Sequence, residues 1–284
     1  MPAVPLLAAF RTHQGRHHIY RVTLSLTPSA ATSCRRYSSA SSGESSSTFE
    51  ASPSQRTTRE KPCKIPFLLW TAARPDARAV AILLEELKAL YGLEYEAKKV
   101  DTTIGEHTLS WFRKLNPYGP SDRVPIFVDR KRRDCVVSES AAILQYLEQL
   151  YDPLYEFAFN PVYNWDEHTV MTQWLWMVQG RLGQMQAESI HFHRIAPKDI
   201  PYAKSRYLQE TKRAYGMLND RLSRKDWLAG HRSGKYSVAD IQAYPWVRAH
   251  EHAGIQTLHD WPHLQEWVLR CAERSAVRAG MLVP

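Results

Sequence analysis

A short apolar run, residues 65–71, stops at Arg74-Pro75-Asp76, and the hydrophobic spacing then changes from that of a strand to that of a helix. Val80, Leu83, Leu84, Leu87 and Leu90 recur at helical intervals and define one apolar face. Proline suits the first helical turn, where its missing N–H would have no intrahelical partner. A second strand is predicted over residues 93–101 and a short helix over 109–115. Residues 124–129 and Cys135–Ser138 predict a hairpin, and Ser140–Tyr151 an amphipathic helix that closes the unit. The predicted order is therefore β-α-β-α-β-β-α.

Beyond residue 152 the pattern is helical throughout. Helices are predicted over residues 165–188, 200–222, 237–250 and 261–272, separated by Pro, Gly and Asp. No internal repeat is visible. The expected layout is an α/β unit over residues 61–152, a linker over 153–163 and an all-helical unit over 164–284.

Residues 1–60 differ from the rest. They are rich in Ser, Thr and Arg, with a serine tract and few periodic apolar positions. The first 43 residues hold five arginines (Arg11, Arg16, Arg21, Arg35, Arg36), no lysine and no acid. That composition predicts a mitochondrial transit peptide, and Arg36-Tyr37-Ser38 resembles a processing-peptidase site that would leave Ser38 first. An unstructured extension on a cytoplasmic enzyme is the alternative reading. Of the formal charge of +8, those arginines account for five, which leaves +3 for the remainder. Without a basic helical stripe, nucleic-acid binding is not expected. No run approaches the roughly 18–20 apolar residues a spanning helix needs, so membrane insertion is not expected.

Four widely spaced cysteines (Cys34, Cys63, Cys135, Cys271) form no C-x-x-C pair. A disulfide framework, a zinc site and a protein dithiol are all disfavoured. His191-x-His193 and His250-x-His252 do not converge on one helical face, so hydrogen-bonding roles are expected and no metal. Trp174, Trp176, Met177 and Met185 read as core or pocket wall. Gly180 and Gly183 would allow a helix or ligand close approach.

Two segments carry the chemistry: Arg123-Val124-Pro125-Ile126 and Ser138-Glu139-Ser140-Ala141. Read blandly, Pro125 marks an edge strand and Glu139-Ser140 caps a helix. Read functionally, the main chain of Val124 receives an extended peptide, as in strand addition. Ser140 and the helix N-terminus then take a carboxylate, and Glu139 an ammonium.

With these segments the chain resembles the glutathione transferase superfamily, in particular the nu-class disulfide reductases and the fungal nitrogen-regulator-like proteins. The resemblance runs from about residue 65 to the end. It is carried further by Gln173-Trp174-Leu175, Ile200-Pro201-Tyr202-Ala203, Trp227-Leu228-Ala229-Gly230, Tyr236-Ser237-Val238-Ala239-Asp240-Ile241 and Pro245-Trp246-Val247. It implies a thioredoxin-like domain followed by a helical substrate domain, glutathione as co-substrate, and a homodimer. It also implies that Val124, Pro125, Glu139 and Ser140 hold glutathione, with Arg206 reaching in and His107 near the glycyl end. Ser237-x-x-Asp240 resembles the family's capping box, a structural feature.

One departure bears on catalysis. Where the nu-like relatives have Thr-Pro-Asn-Gly, this chain has Arg74-Pro75-Asp76-Ala77. A free thiol needs donors or positive charge to ionise at neutral pH. Arg74 supplies both, Thr71 is a second candidate donor, and Asp76 would oppose a thiolate if aimed at it. Pro120-Ser121-Asp122 is a three-residue excess beside the site. The expected activity is attack of bound glutathione thiolate on an electrophile or a disulfide. The alternatives are a non-catalytic glutathione-binding regulator and a transferase dedicated to one secondary metabolite.

Overall fold

The computed structural model describes residues 65–115 and 123–284, all within one compact unit that spans Arg56–Pro284. The leader expected over residues 1–60, Cys34 and Cys63, and the excess at Pro120–Asp122 lie outside the described residues.

β1 (Phe67–Thr71) runs into α1 (Pro75–Tyr91), followed by β2 (Tyr95–Lys99) and the short α2 (Ser110–Arg113). β3 (Ile126–Asp129) and β4 (Cys135–Ser138) form the expected hairpin, and α3 (Ser140–Tyr151) follows at once. The sheet order is β2-β1-β3-β4. β1 is parallel to β2, with Phe67 opposite Tyr95, and antiparallel to β3, with Phe67 opposite Asp129. This is the thioredoxin-like arrangement.

Alternation along the strands divides the sheet's side chains between two faces. Phe67, Leu69 and Phe127 enter the main core, whereas Ile126, Val124 and Ala72 pack with Phe112 of α2 in a smaller cluster. α1 is buried far beyond one stripe, because two later helices, α7 (Val238–Arg248) and α9 (Ser275–Leu282), cover the side turned away from the sheet. Ala77, Ala81, Ile82 and Glu86 are buried in addition to the predicted face. Leu90, counted in that face, is 48% exposed, since the last turn runs out beyond its neighbours. Gly92 ends the helix at φ 69°, its N–H donating to the Lys88 carbonyl at 2.9 Å.

The helical half comprises α4 (Trp165–Met177), α5 (Gly183–Ile190), α6 (Pro201–Leu222), α7 (Val238–Arg248), α8 (Pro262–Ala272) and α9 (Ser275–Leu282). The single helix expected over 165–188 is interrupted by a π-helical stretch, Val178–Leu182. α7 is the central post, buried from Val238 to Val247. The capping box at its start is present, with Ser237 N–H and Oγ both donating to Asp240 Oδ2 at 3.1 and 3.2 Å. Trp176 is 50% exposed, so it is neither core nor pocket wall.

α9 was not anticipated, and it is what seals the two halves together. A Cβ on Gly280 would stand 2.5 Å from Ile82 Cα and 2.6 Å from Ile82 N, so the two backbones touch directly. Beside this contact Arg274 grips buried Glu86 through two bonds of 2.6 and 3.0 Å. Gly280→Ala must therefore push the helices apart and is expected to cost about 3 kcal/mol. A urea midpoint indistinguishable from wild type would contradict that packing account.

Candidate functional site

A cleft of about 540 Å³, counting its open mouth, lies between the sheet half and the helical half. Two helix N-termini open onto it: that of α1, capped by Arg74, and that of α3, capped by Glu139. Both present main-chain N–H groups and partial positive charge to anything bound there.

Glu139 adopts φ 69° and ψ 119°, a conformation that L side chains rarely tolerate. Strain of this kind persists only where the surroundings fix it, and it concentrates at ligand sites. Here β4 ends at Ser138 and α3 begins at Ser140, so the chain must reverse direction at one residue. The reversal brings Glu139 to the cleft wall and buries Ser140 to 2% exposure.

A polar network from the helical half holds both residues. The Ser140 hydroxyl donates to Gln179 Oε1 at 2.9 Å and accepts from Gln242 Nε2 at 2.9 Å. Gln242 Nε2 also donates to Gln179 Oε1 at 2.7 Å, and Gln179 Nε2 to Glu139 Oε2 at 3.4 Å. The hydroxyl's one hydrogen is thus committed to Gln179, which leaves main-chain N–H groups at the start of α3 to receive an anion. Gln179 projects from the π-helical stretch, an irregularity frequent at functional sites.

Val124, which also lines the cleft, precedes Pro125 through a cis peptide bond, just before β3. Among the described residues no main-chain hydrogen bond engages Val124, so its N–H and C=O remain able to pair with an extended ligand. Arg74 also lines the cleft, its Nε 3.5 Å from Asp76 Oδ1, which accepts the Ala77 N–H at 3.0 Å. Burial pushes the Asp76 carboxyl above its ordinary range, and Arg74 pulls it the other way.

Of the residues expected at the site, the structure gathers Arg74, Asp76, Val124, Pro125, Glu139 and Ser140 around this cleft. Thr71 is not among them: it is 1% exposed and its hydroxyl donates to the Pro284 carbonyl at 2.8 Å. His107 also stands apart, in a 3₁₀ turn closed on itself by the Thr108–Gly105 bond, its Nδ1 buried. Arg206 lies on α6 with its side chain exposed and does not line the cleft. His193 and His250 each place Nδ1 against a main-chain carbonyl, Ser189 at 2.8 Å and Ile255 at 2.7 Å. Among the described residues no cluster of three potential metal ligands occurs.

The wall residues Gln179 and Trp246 were not singled out as site residues by sequence, nor was buried Gln242, which backs the wall through its bonds to Ser140 and Gln179. The available signal was a glutamine within the buried middle of α7, between Ile241 and Ala243, with Trp246 one turn later on the same face. Gly183 does permit close approach, since its Cβ would sit 3.2 Å from the Trp246 ring. Gly180 faces open space instead.

The chain matches the family models "Glutathione S-transferase, N-terminal domain" over residues 66–149 and "Glutathione S-transferase, C-terminal domain" over residues 190–275. It is 33% identical over 218 residues to a disulfide-bond oxidoreductase, YfcG, of Escherichia coli, covering 75% of this chain and 94% of that protein. A glutathione transferase homolog from Lodderomyces elongisporus, solved with two glutathione molecules per subunit, superposes with a TM-score of 0.70. It is 32% identical, over 77% of this chain and 99% of that one. A glutathione transferase from Phanerochaete chrysosporium in complex with oxidized glutathione gives a TM-score of 0.69 and 32% identity, over 76% and 95% of the two chains. A thioredoxin-like half whose cleft is closed by a helical half is the architecture these proteins share. The chain belongs to the glutathione S-transferase superfamily.

Proposed function

We propose that the protein binds glutathione in this cleft and uses its thiolate to reduce disulfides or attack electrophiles. The carrying observation is the cleft itself, which is lined by a carboxylate, a helix N-terminus, the unpaired main chain of Val124 and an arginine, groups complementary to those of a γ-glutamyl-cysteinyl ligand. Glu139 pairs with the γ-glutamyl ammonium, and the N–H groups at the start of α3 take the adjacent carboxylate. Val124 pairs with the cysteinyl main chain. The sulfur then lies at the start of α1, where Arg74 and the helix dipole favour the thiolate.

Attack of that thiolate on a disulfide forms one S–S bond and breaks another, releasing a thiolate that takes a proton from solvent. A second glutathione attacks the resulting mixed disulfide, giving oxidised glutathione and the second reduced thiol. Electrons come entirely from glutathione, so no protein cysteine takes part. Cys135 and Cys271 do not line the cleft, and burial pushes the Cys271 thiol well up. The relatives named a disulfide-bond oxidoreductase and solved with oxidized glutathione support this route over other electrophiles.

One observation favours a second reading, a glutathione-binding regulator: Thr71 is turned away, which leaves no hydroxyl of the first strand at the sulfur end. A mitochondrial location and a homodimer belong to the same proposal, supported by the leader's composition and by kinship. Imaging of a full-length fluorescent fusion and light scattering check them; a cytosolic signal or a monomeric mass would remove each in turn. The binding itself is tested by isothermal titration with glutathione and with oxidised glutathione. Saturable heat is expected for both, competing for one site, and absence of heat would remove the reading.

A further inference from the structure

Gln179 reaches the cleft from the helical half, between Val178 and Leu182, which are both wholly buried. Its neighbours accept only one orientation of its amide. Ser140 Oγ accepts one hydrogen of Gln242 Nε2 at 2.9 Å, so its own hydrogen goes to Gln179 Oε1 at 2.9 Å. The second hydrogen of Gln242 Nε2 also goes to Gln179 Oε1, at 2.7 Å. Two donors thus occupy that oxygen, and a rotated amide would set Nε2 against them. Gln179 Nε2 is left facing Glu139 Oε2, at 3.4 Å. Reversing both glutamines together would set Gln179 Oε1 against the Glu139 carboxylate, so the charge fixes the direction of the whole chain.

Glu139 needs such a partner. Its backbone is fixed at φ 69°, but the residue is exposed, and among the described residues the only side-chain bond to its carboxylate comes from Gln179. A glutamate side chain ordered by an arriving ligand loses its rotamer freedom at that moment. One already held has lost it beforehand, and the ligand binds more tightly for it.

We propose that Gln179 is a positioning residue: it holds the Glu139 carboxylate in place for the γ-glutamyl ammonium. Recognition of the ligand's amino end then depends on the helical half as well as on the motif of the sheet half. This rests on the glutathione reading above and adds to it a selectivity element, one that favours a γ-glutamyl group with a free ammonium over the same group without it.

Gln179→Met tests this, because methionine matches glutamine in length and lacks the amide. In the full chain, isothermal titration should show affinity for glutathione falling about tenfold. Affinity for glutaryl-cysteinyl-glycine, which is glutathione without its ammonium, should change less than about twofold. Added to Glu139→Ala, Gln179→Met should weaken glutathione by less than about a further twofold, since the group it positions is gone. A merely structural wall residue would weaken both ligands alike, with or without Glu139. Either of those results overturns the assignment, as does an unchanged affinity for glutathione. Should the methionine variant fail to fold, Gln179→Asn keeps an amide in the wall but shortens its reach by one methylene. The same selective loss is expected there, and equal losses or none overturn the assignment. If wild type gives no heat with glutathione, the underlying reading falls as well, a result distinct from normal wild-type binding with unselective losses.

Discussion

Replacing Glu139 by alanine is expected to weaken glutathione binding by roughly 30- to 1000-fold, corresponding to about 2–4 kcal/mol. In the proposed complex the carboxylate would face the ligand ammonium in a cleft partly screened from water, where a charge-assisted bond is about twice as strong as a neutral one. Its loss also frees Gln179 Nε2, which donates to Glu139 Oε2 in the intact protein. The alanine variant keeps the left-handed backbone at this residue and hence its strain. Glu139→Gly relieves it and should stabilise the free protein by about 1 kcal/mol while binding glutathione as poorly as the alanine variant. Stability and ligand affinity then move in opposite directions at one position, the behaviour of a site held under strain for its ligand. Titration together with a denaturation curve reads both. A glycine variant that retains wild-type affinity would dissociate Glu139 from the ligand.

Asp240→Ala is expected to produce the largest loss of stability, about 3 kcal/mol or more. The fully buried carboxylate accepts from Leu228 N–H at 3.1 Å, Trp267 Nε1 at 3.0 Å, Ser237 N–H at 3.1 Å and Ser237 Oγ at 3.2 Å, so alanine orphans four buried donors together. Those bonds join the loop before α7, the start of α7 and α8 at one point. Burial raises the Asp240 pKa to about 6 from its ordinary 3.8, although each hydrogen bond lowers it. The native state therefore binds the extra proton between those values. This group's penalty is absent below pH 3.8 and grows to about 3 kcal/mol as pH rises through about 6. Asp240→Asn keeps an acceptor for Leu228 and Trp267 but does not titrate. Urea denaturation from pH 4 to pH 7 should show wild type losing stability relative to Asp240→Asn as pH rises. A constant difference between the two would contradict the raised pKa.

Elements set by local pattern were legible in the sequence. β4 and α3 fall at the expected residues, because Ser138-Glu139-Ser140 marks the change from period 2 to period 3.6. What depends on distant partners was not legible. α1 is buried on nearly every side because α9 and α7 lie on it, and α9 spans only eight residues, too few for its apolar spacing to announce where it packs. The π-helical stretch inserts one extra residue per turn into an otherwise continuous helix, which the apolar spacing does not reveal. Gln179 and Gln242 meet across 63 positions of chain, so neither announces its partner. Thr71 stands at the right strand end, but the pairing of its hydroxyl with Pro284 follows from where the chain's last residues dock. The same reasoning explains the site. Glu139, Ser140 and Val124 are read from a motif, whereas the helical wall that completes the cleft is defined only in three dimensions.

The most direct measurement is turnover of a small model disulfide by the full chain with glutathione, coupled to glutathione reductase and NADPH. The account predicts NADPH consumption that saturates with glutathione and is lost in Glu139→Ala. Normal glutathione binding by wild type with no turnover above the uncatalysed rate would contradict it, and would leave a protein that holds glutathione without using its sulfur.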